Sequence, residues 1–119
     1  MREKKDSSIQ IRVGMTDLDS YNIVHHPQYL IWCEKAIWQW MREWGSEKEM
    51  EGIGLFDVKK VVCKFCGAAR LGEMLEIYVK ENAKEEEFGG DKRKFSVRIE
   101  NTVTKARVLE GDFEIAVRG

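Results

Sequence analysis

Polar and apolar residues alternate through Ser8-Ile9-Gln10-Ile11-Arg12-Val13, the two-residue period of a strand with one wet face. A polar stretch, Thr16 to Asn22, interrupts the pattern. From His26 to about Trp44 the period lengthens, with Leu30, Cys33, Ile37, Trp40, Met41 and Trp44 recurring at three- and four-residue steps. That spacing predicts a long helix with one apolar face. Pro27 fits its first turn, where a missing N–H is tolerated, and Gly45 offers a C-cap. Ile31, Trp32 and Trp38 lie off the stripe, so the helix is expected to be wrapped on more than one side, by a curved sheet and in part by a second subunit. Four strand-like segments follow: Phe56–Ala68, Met74–Glu85, Arg93–Asn101 and Val108–Arg118. Leu75, Ile77 and Val79 alternate with polar neighbours, as do Phe95, Val97 and Ile99. Phe88-Gly89-Gly90-Asp91 reads as the turn between the second and third of these four. The predicted class is α+β: a strand, a long helix, then four strands in an antiparallel sheet around the helix.

The chain has 119 residues and a single proline, and no Gly/Ser- or Pro-rich linker divides it. Residues 1–119 are therefore expected to form one domain. Apolar residues make up 43%, enough for a core. Charged residues reach 34%, yet 20 Lys+Arg against 21 Asp+Glu leaves a net charge of -1. Near-neutrality argues against a nucleic-acid partner, which requires a basic surplus. No apolar run has the length of a membrane span, and the first residues lack the apolar stretch of a signal peptide. Three cysteines without a secretory signal read as reduced thiols, giving an expected cytoplasmic location.

The chemistry is concentrated between Thr16 and Glu34. A loop carrying Asp17 and Asp19 runs into the predicted helix, whose first N–H groups have no internal acceptors and whose dipole is positive there. A carbonyl oxygen at that end can be polarised, and a carboxylate beside it can attack or activate water. These are the parts of an acyl-transfer site. Asp and Asn near a helix start also serve as caps, and on these residues alone that is the more common reading.

The stretch Asp17-x-Asp19-x-x-Asn22-x-Val24-x-x-x-x-Tyr29, with Glu34 five residues later, resembles the hallmark of hot-dog-fold thioesterases. The likeness is to the 4-hydroxybenzoyl-CoA type, including the small Tol–Pal-associated acyl-CoA thioesterases. The likeness extends along the domain through Val61-Val62, Ala69 to Ile77 and Phe95 to Ile99. It implies a hot-dog fold, a long central helix wrapped by a five-stranded antiparallel sheet, assembled as a homodimer or homotetramer with sites between subunits. It also implies that Asp19 is the catalytic carboxylate, as nucleophile or general base. The backbone N–H of His26 would polarise the thioester carbonyl; Glu34, two turns into the helix, could hold the loop or a water, or be an ordinary surface residue. Asn22 stands where the family has glycine. Asn tolerates a left-handed backbone, so the turn is expected to survive while its side chain alters substrate fit.

His25 and His26, with Glu34, also admit a His-dependent hydratase or dehydratase, or a metal site. Adjacent residues at such a junction diverge and no second ligand cluster accompanies them, so loop or substrate-rim roles are favoured. Tyr29 and Trp32 are placed near the acyl group. Lys92, Arg93 and Lys94, with Arg70 expected on a nearby turn and Arg107 and Arg118 further on, could hold coenzyme A phosphates or an acidic acyl carrier protein. Pairing of the three with Lys84-Glu85-Glu86-Glu87 across the hairpin is the commoner outcome. Cys63 and Cys66 are read as strand residues facing opposite sides, unsuited to sharing zinc or a disulfide, and Cys33 as core or interface.

The expected activity is hydrolysis of an acyl thioester, delivered by coenzyme A or an acyl carrier protein. Neither metal nor redox cofactor is expected, since carboxylate, water and backbone donors suffice. The competing reading is a hot-dog domain that binds acyl-CoA or a carrier protein without turnover.

Overall fold

The computed structural model describes residues 6–44, 56–82 and 92–117. Five strands, β1 (Asp6–Arg12), β2 (Phe56–Phe65), β3 (Met74–Glu81), β4 (Lys92–Asn101) and β5 (Arg107–Val117), accompany one helix, α1 (His26–Trp44). They form one sheet in the order β1-β3-β4-β5-β2, with every neighbouring pair antiparallel. The expected α+β arrangement, one long helix against a five-stranded antiparallel sheet, is the one observed. The expected Gly45 cap, the Gly89-Gly90 turn, the Lys84–Glu87 charges and Arg118 lie outside the described residues.

The period-2 pattern divides the sheet into two faces. Leu75, Ile77, Val79, Phe95, Val97, Ile99, Leu109, Phe113 and Ile115 point inward and are buried. The outer face carries transverse rows of alternating charge, such as Arg98 opposite Glu110 opposite Lys64. The Arg98 guanidinium also lies 4.4 Å from the centre of the Tyr78 ring, a cation–π contact.

Helix α1 buries Tyr29, Trp32, Cys33, Ala36, Ile37, Trp40 and Met41. Its buried stripe is therefore wider than the predicted one. Trp32, expected off the stripe, is inside, while Leu30 is only partly buried. More than one strand meets the helix, Phe65 of β2 at Tyr29 and Phe95 of β4 at Trp40. Trp40 meets Phe95 edge-on at 4.8 Å. At the other margin Trp44 Nε1–H donates to the Asp6 carbonyl at 2.9 Å and Ser7 Oγ–H donates to Glu43 at 3.1 Å. These bonds fix the C-terminal turn of α1 to the start of β1.

Strand β2 ends at Phe65, short of the predicted Ala68. The N–H groups of Cys66 and Gly67 both turn to one acceptor, the Val108 carbonyl, at 2.8 and 3.3 Å. Two donors on one carbonyl end the ladder, so Cys66 is an exposed connection residue and not a strand residue. Gly111 of β5 faces Cys63 of β2. A Cβ there would sit 2.5 Å from the Val62 carbonyl oxygen.

The antiparallel register gathers the C-terminal ends of β1, β2 and β4 with the N-terminal ends of β3, β5 and α1. Three connections meet at this end, residues 13–25, 66–73 and 102–106, and we call it the loop end.

Candidate active site

The loop that carries both aspartates is held by its own backbone and by its neighbours. A short 3-10 turn, Met15–Asp17, opens it. Asp17 Oδ2 accepts from the Gly14 N–H at 2.8 Å. Asp19 Oδ1 accepts from Tyr21 N–H at 2.8 Å and Ile23 N–H at 3.4 Å. The Asp19 N–H donates to the Ile23 carbonyl, and the Asn22 N–H to the Asp19 carbonyl, closing a tight turn at 2.9 and 3.0 Å. Asn22 occupies the left-handed region at φ 62°. The expectation that asparagine sustains this turn therefore holds, and its exposed side chain points away from the core.

Neither aspartate caps the helix. Their carboxylates are engaged by loop amides, and Asp17 closes the short Met15–Asp17 turn instead of α1. The His25 N–H donates to the Asp17 carbonyl at 3.0 Å, which brings the chain into α1 directly after the loop. In the first turn of α1 the Gln28 N–H donates to the His25 carbonyl at 2.9 Å, and the helix dipole makes this end electropositive.

Two further anchors come from the segment between β2 and β3. The Val24 N–H donates to the Ala69 carbonyl at 3.0 Å, and Ile23 bridges Arg70. The Ala69 N–H donates to the Tyr29 phenol oxygen at 2.9 Å. Tyr29 is buried, only 1% exposed. Burial first, and then the negative charges of Glu73 and Asp19, push its phenol above the usual tyrosine value, against the opposing effect of the Ala69 bond. The Asp19 carboxylate is thus near enough to the first turn of α1 for its charge to be felt there.

His26, the first residue of α1, is exposed and lies flat on Phe65, with centroids 4.2 Å apart and planes 4° from parallel. Tyr29 touches Phe65 at 5.8 Å and Trp32 at 5.7 Å, so a chain of rings runs from the surface to the core. His25 is exposed beside it, and Glu34 stands exposed two turns along α1.

The structure brings Asp19, Asn22, His25, His26 and Tyr29 to the loop end. It does not bring Lys92, Arg93 and Lys94 there. These begin β4 at the opposite end of the sheet, about 30 Å of extended strand from Asn101. Arg93 is bound to Glu81 at 2.6 Å across the β3–β4 pair, while the partners expected for it, Lys84 to Glu87, lie outside the described residues. Arg70, expected near them, is instead at the loop end. In an antiparallel hairpin the turn before β3 and the turn after it must lie at opposite ends. Phe65, Ala69 and Glu73 were not anticipated. Nothing in an alanine or a strand-ending phenylalanine signals a contact made only after β2 folds back beside α1.

Among the described residues no group of three or more His, Cys, Asp or Glu side chains could hold a metal ion, and no helix is long and apolar enough to cross a membrane. Cys33 is wholly buried, and burial, with Cys63 nearby, pushes its thiol up to about 12.

Residues 13–117 match the thioesterase-like superfamily, a span that takes in the aspartate loop, α1 and all strands from β2 to β5. The chain belongs to that superfamily. Solved structures agree in fold. A probable thioesterase from Bartonella henselae superposes with a TM-score of 0.76 at 22% identity, over 93% of this chain and 88% of the other. A 1,4-dihydroxy-2-naphthoyl-CoA thioesterase from Synechocystis gives 0.76 at 15% identity, over 93% and 80%. A hypothetical thioesterase from Streptococcus pneumoniae, solved with coenzyme A, gives 0.76 at 18% identity, over 100% and 85%. No curated protein matches the chain. As a superfamily member the chain has the hot-dog fold that its strand order and central helix describe, and thioesterase chemistry is its general assignment.

Proposed function

We propose that this thioesterase-like protein hydrolyses acyl-CoA esters at Asp19. The observation that carries the reading is a half-buried carboxylate, pinned by loop amides, on the loop that leads directly into the N-terminus of α1. Asp19 Oδ1 is occupied by two N–H donors, which orients the carboxylate and leaves Oδ2 to act. As general base, it takes a proton from water as the water oxygen attacks the thioester carbonyl. The carbonyl oxygen becomes an oxyanion at the His26 N–H, and collapse expels the thiolate, which takes up a proton. As nucleophile, Asp19 first forms a mixed anhydride and releases the thiolate, and water then opens the anhydride.

Coenzyme A as the carrier group is supported by its presence in the S. pneumoniae protein of the same fold. A Streptococcus mutans protein bound to acetyl-CoA has the same fold too, with TM-score 0.70 at 18% identity. Tyr29 and Ala69 position the loop; His25, His26 and Phe65 form a rim; Asn22 limits what fits beside the turn. Lys92, Arg93 and Lys94 can serve this site only from another subunit. Strand β2 favours such an assembly, since it is an edge strand with Val58 and Val62 exposed.

The test is thiol release from aromatic, short-chain and long-chain acyl-CoAs by wild type, Asp19→Ala and Asp19→Asn, with fold and oligomeric state checked first. Loss of turnover by about 100-fold or more in both variants is expected. Turnover that survives in both removes Asp19 from the reaction. Activity that depends on His25 or His26 side chains and leaves the thioester intact identifies a hydratase.

A further inference from the structure

The aspartate loop, residues 13–25, is held at both ends by one short segment, residues 69–73. At its start the Val13 N–H donates to the Glu73 carbonyl and the Gly72 N–H to the Val13 carbonyl, each at 2.9 Å. At its end the Val24 N–H donates to the Ala69 carbonyl at 3.0 Å, and Ile23 bridges Arg70. Val13, Val24 and Ala69 are buried, so these anchors are shielded from water. Ile23 is also the residue that holds Asp19. Its N–H reaches the Asp19 carboxylate, and its carbonyl accepts the Asp19 N–H.

The Ile23–Arg70 contact is an isolated bridge outside any strand, so no ladder fixes Arg70. The turn that Arg70 begins does so instead. The Glu73 N–H donates to the Arg70 carbonyl at 3.1 Å, and the Glu73 carboxylate accepts the Arg70 N–H at 2.8 Å. Gly72, at φ 84°, supplies the left-handed residue that this turn requires. The reciprocal closure is that of a capping box, in which Glu or Gln reaches back to an N–H three residues earlier. A bond to an ionised acceptor is stronger than one between neutral groups. Glu73 is half-buried, and its charge, like that of Asp19, is felt at the Tyr29 phenol. The two carboxylates thus flank the same anchor of α1.

We propose that Glu73 is a positioning residue for Asp19: by closing the 70–73 turn it sets the Arg70–Ile23 bridge, and through Ile23 the reacting carboxylate. Its own carboxylate is engaged by the turn, so it acts through the backbone and takes no part in the reaction itself. The proposal rests on the reading of Asp19 as the reacting group. What it requires of residue 73 is an acceptor of the right reach, which glutamine also provides and alanine or methionine does not.

The experiment compares the full chain as wild type, Glu73→Ala, Glu73→Met (which keeps the stem without the acceptor), Glu73→Gln, Asp19→Asn and Thr104→Ala. Thr104→Ala removes one side-chain bond, to the Ala106 N–H, from the neighbouring 102–106 connection. Among the described residues that connection makes no hydrogen bond to the aspartate loop. Circular dichroism and size-exclusion chromatography verify fold and assembly. In Glu73→Ala and Glu73→Met the Ile23 and Val24 amides are expected to exchange hydrogen about tenfold or more faster. Thiol release from acyl-CoA is expected to fall about tenfold or more in kcat with KM little changed. Glu73→Gln is expected to restore both readouts, and Thr104→Ala to alter neither. Wild-type exchange in Glu73→Ala and Glu73→Met, an equal effect of Thr104→Ala, or a Glu73→Gln as impaired as Glu73→Ala overturns the proposal. So does faster exchange with unaltered kcat while Asp19→Asn is inactive, since the turn then holds the loop without positioning the reaction. If wild type releases no thiol, or Asp19→Asn turns over as wild type does, the reading of Asp19 fails instead. The exchange rates then decide by themselves whether Glu73 holds the Asp19 loop.

Discussion

The Ala69 N–H donates to the phenol oxygen of Tyr29 across 40 residues of sequence. This bond joins the segment between β2 and β3 to the first turn of α1, and the Val24–Ala69 bond then ties the aspartate loop to the same alanine. Position in the site thus depends on a residue that meets no solvent. Tyr29→Phe keeps the ring but strands a buried donor. A loss of about 1–3 kcal/mol is expected in urea unfolding, with kcat falling more than KM changes. Unaltered stability and turnover would show that the bond does not position the loop.

Asp17 and Asp19 are two residues apart and serve different ends. Asp17→Ala removes a cap from the Met15–Asp17 turn and is expected to lower stability by about 0.5–2 kcal/mol. Asp19→Asn retains the Oδ1 acceptor, so its stability is expected to stay within about 1 kcal/mol of wild type. Thermal melts of the two variants, set beside their thiol-release rates, separate the roles. A folded, fully active Asp19→Asn together with an inactive, folded Asp17→Ala would exchange them.

Asn22 and Gly111 answer to different constraints. At φ 62° a β-branched residue is strained, so Asn22→Val is expected to lose about 1–2 kcal/mol while Asn22→Gly stays near wild type. Asn22→Gly also clears the side chain beside the turn and is expected to raise kcat/KM for bulkier acyl groups. At Gly111 the obstacle is a neighbouring strand, with its Cβ position 2.5 Å from the Val62 carbonyl. Gly111→Ala is expected to lose about 1–3 kcal/mol through forced separation of β2 and β5. Chemical denaturation measures both.

Cys33 makes stability depend on alkaline pH. Its thiol is pushed from 9.0 to about 12 by burial. Below the unfolded value neither state is ionised and the folded state keeps its full stability. As pH rises from 9 toward 12 the unfolded chain loses the proton first, so stability falls, by up to about 1.4 kcal/mol per pH unit. Tyr29, also raised above 10.0, acts in the same direction at higher pH. Urea unfolding from pH 8 to 11 is expected to show the decline, and Cys33→Ala to flatten it. Exposed Cys66 is expected to react with a thiol reagent in the native protein and Cys33 only after unfolding.

The elements were legible because each has a plain period: two in Ile9-Gln10-Ile11 and Phe95-Ser96-Val97, near 3.6 from Leu30 to Trp44. The aspartate loop was legible through a spaced motif, and Asn22 through the backbone conformation that such a turn demands. The end of β2 was hidden, since nothing in Cys66 or Gly67 announces that both will seek the Val108 carbonyl. The aromatic contact of His26 with Phe65 was hidden for a related reason, being made across a fold that brings distant segments together. The separation of Lys92–Lys94 from Asp19 follows from strand direction, which periodicity does not carry.

The strand order has a consequence for how the chain reaches this shape. β1 and β2 are consecutive strands, yet they form the two opposite edges of the sheet, with β3, β4 and β5 between them. Neither edge has a partner until the later meander exists. The rate of folding is therefore expected to follow the pairing of β3, β4 and β5, with β1 docking late over a long closure. Weakening the β4–β5 pairing should slow refolding, and weakening the β1–β3 pairing should chiefly hasten unfolding. A chain emerging from synthesis therefore carries its aspartate loop long before the segment that anchors it, at Ala69 and Arg70, has been made.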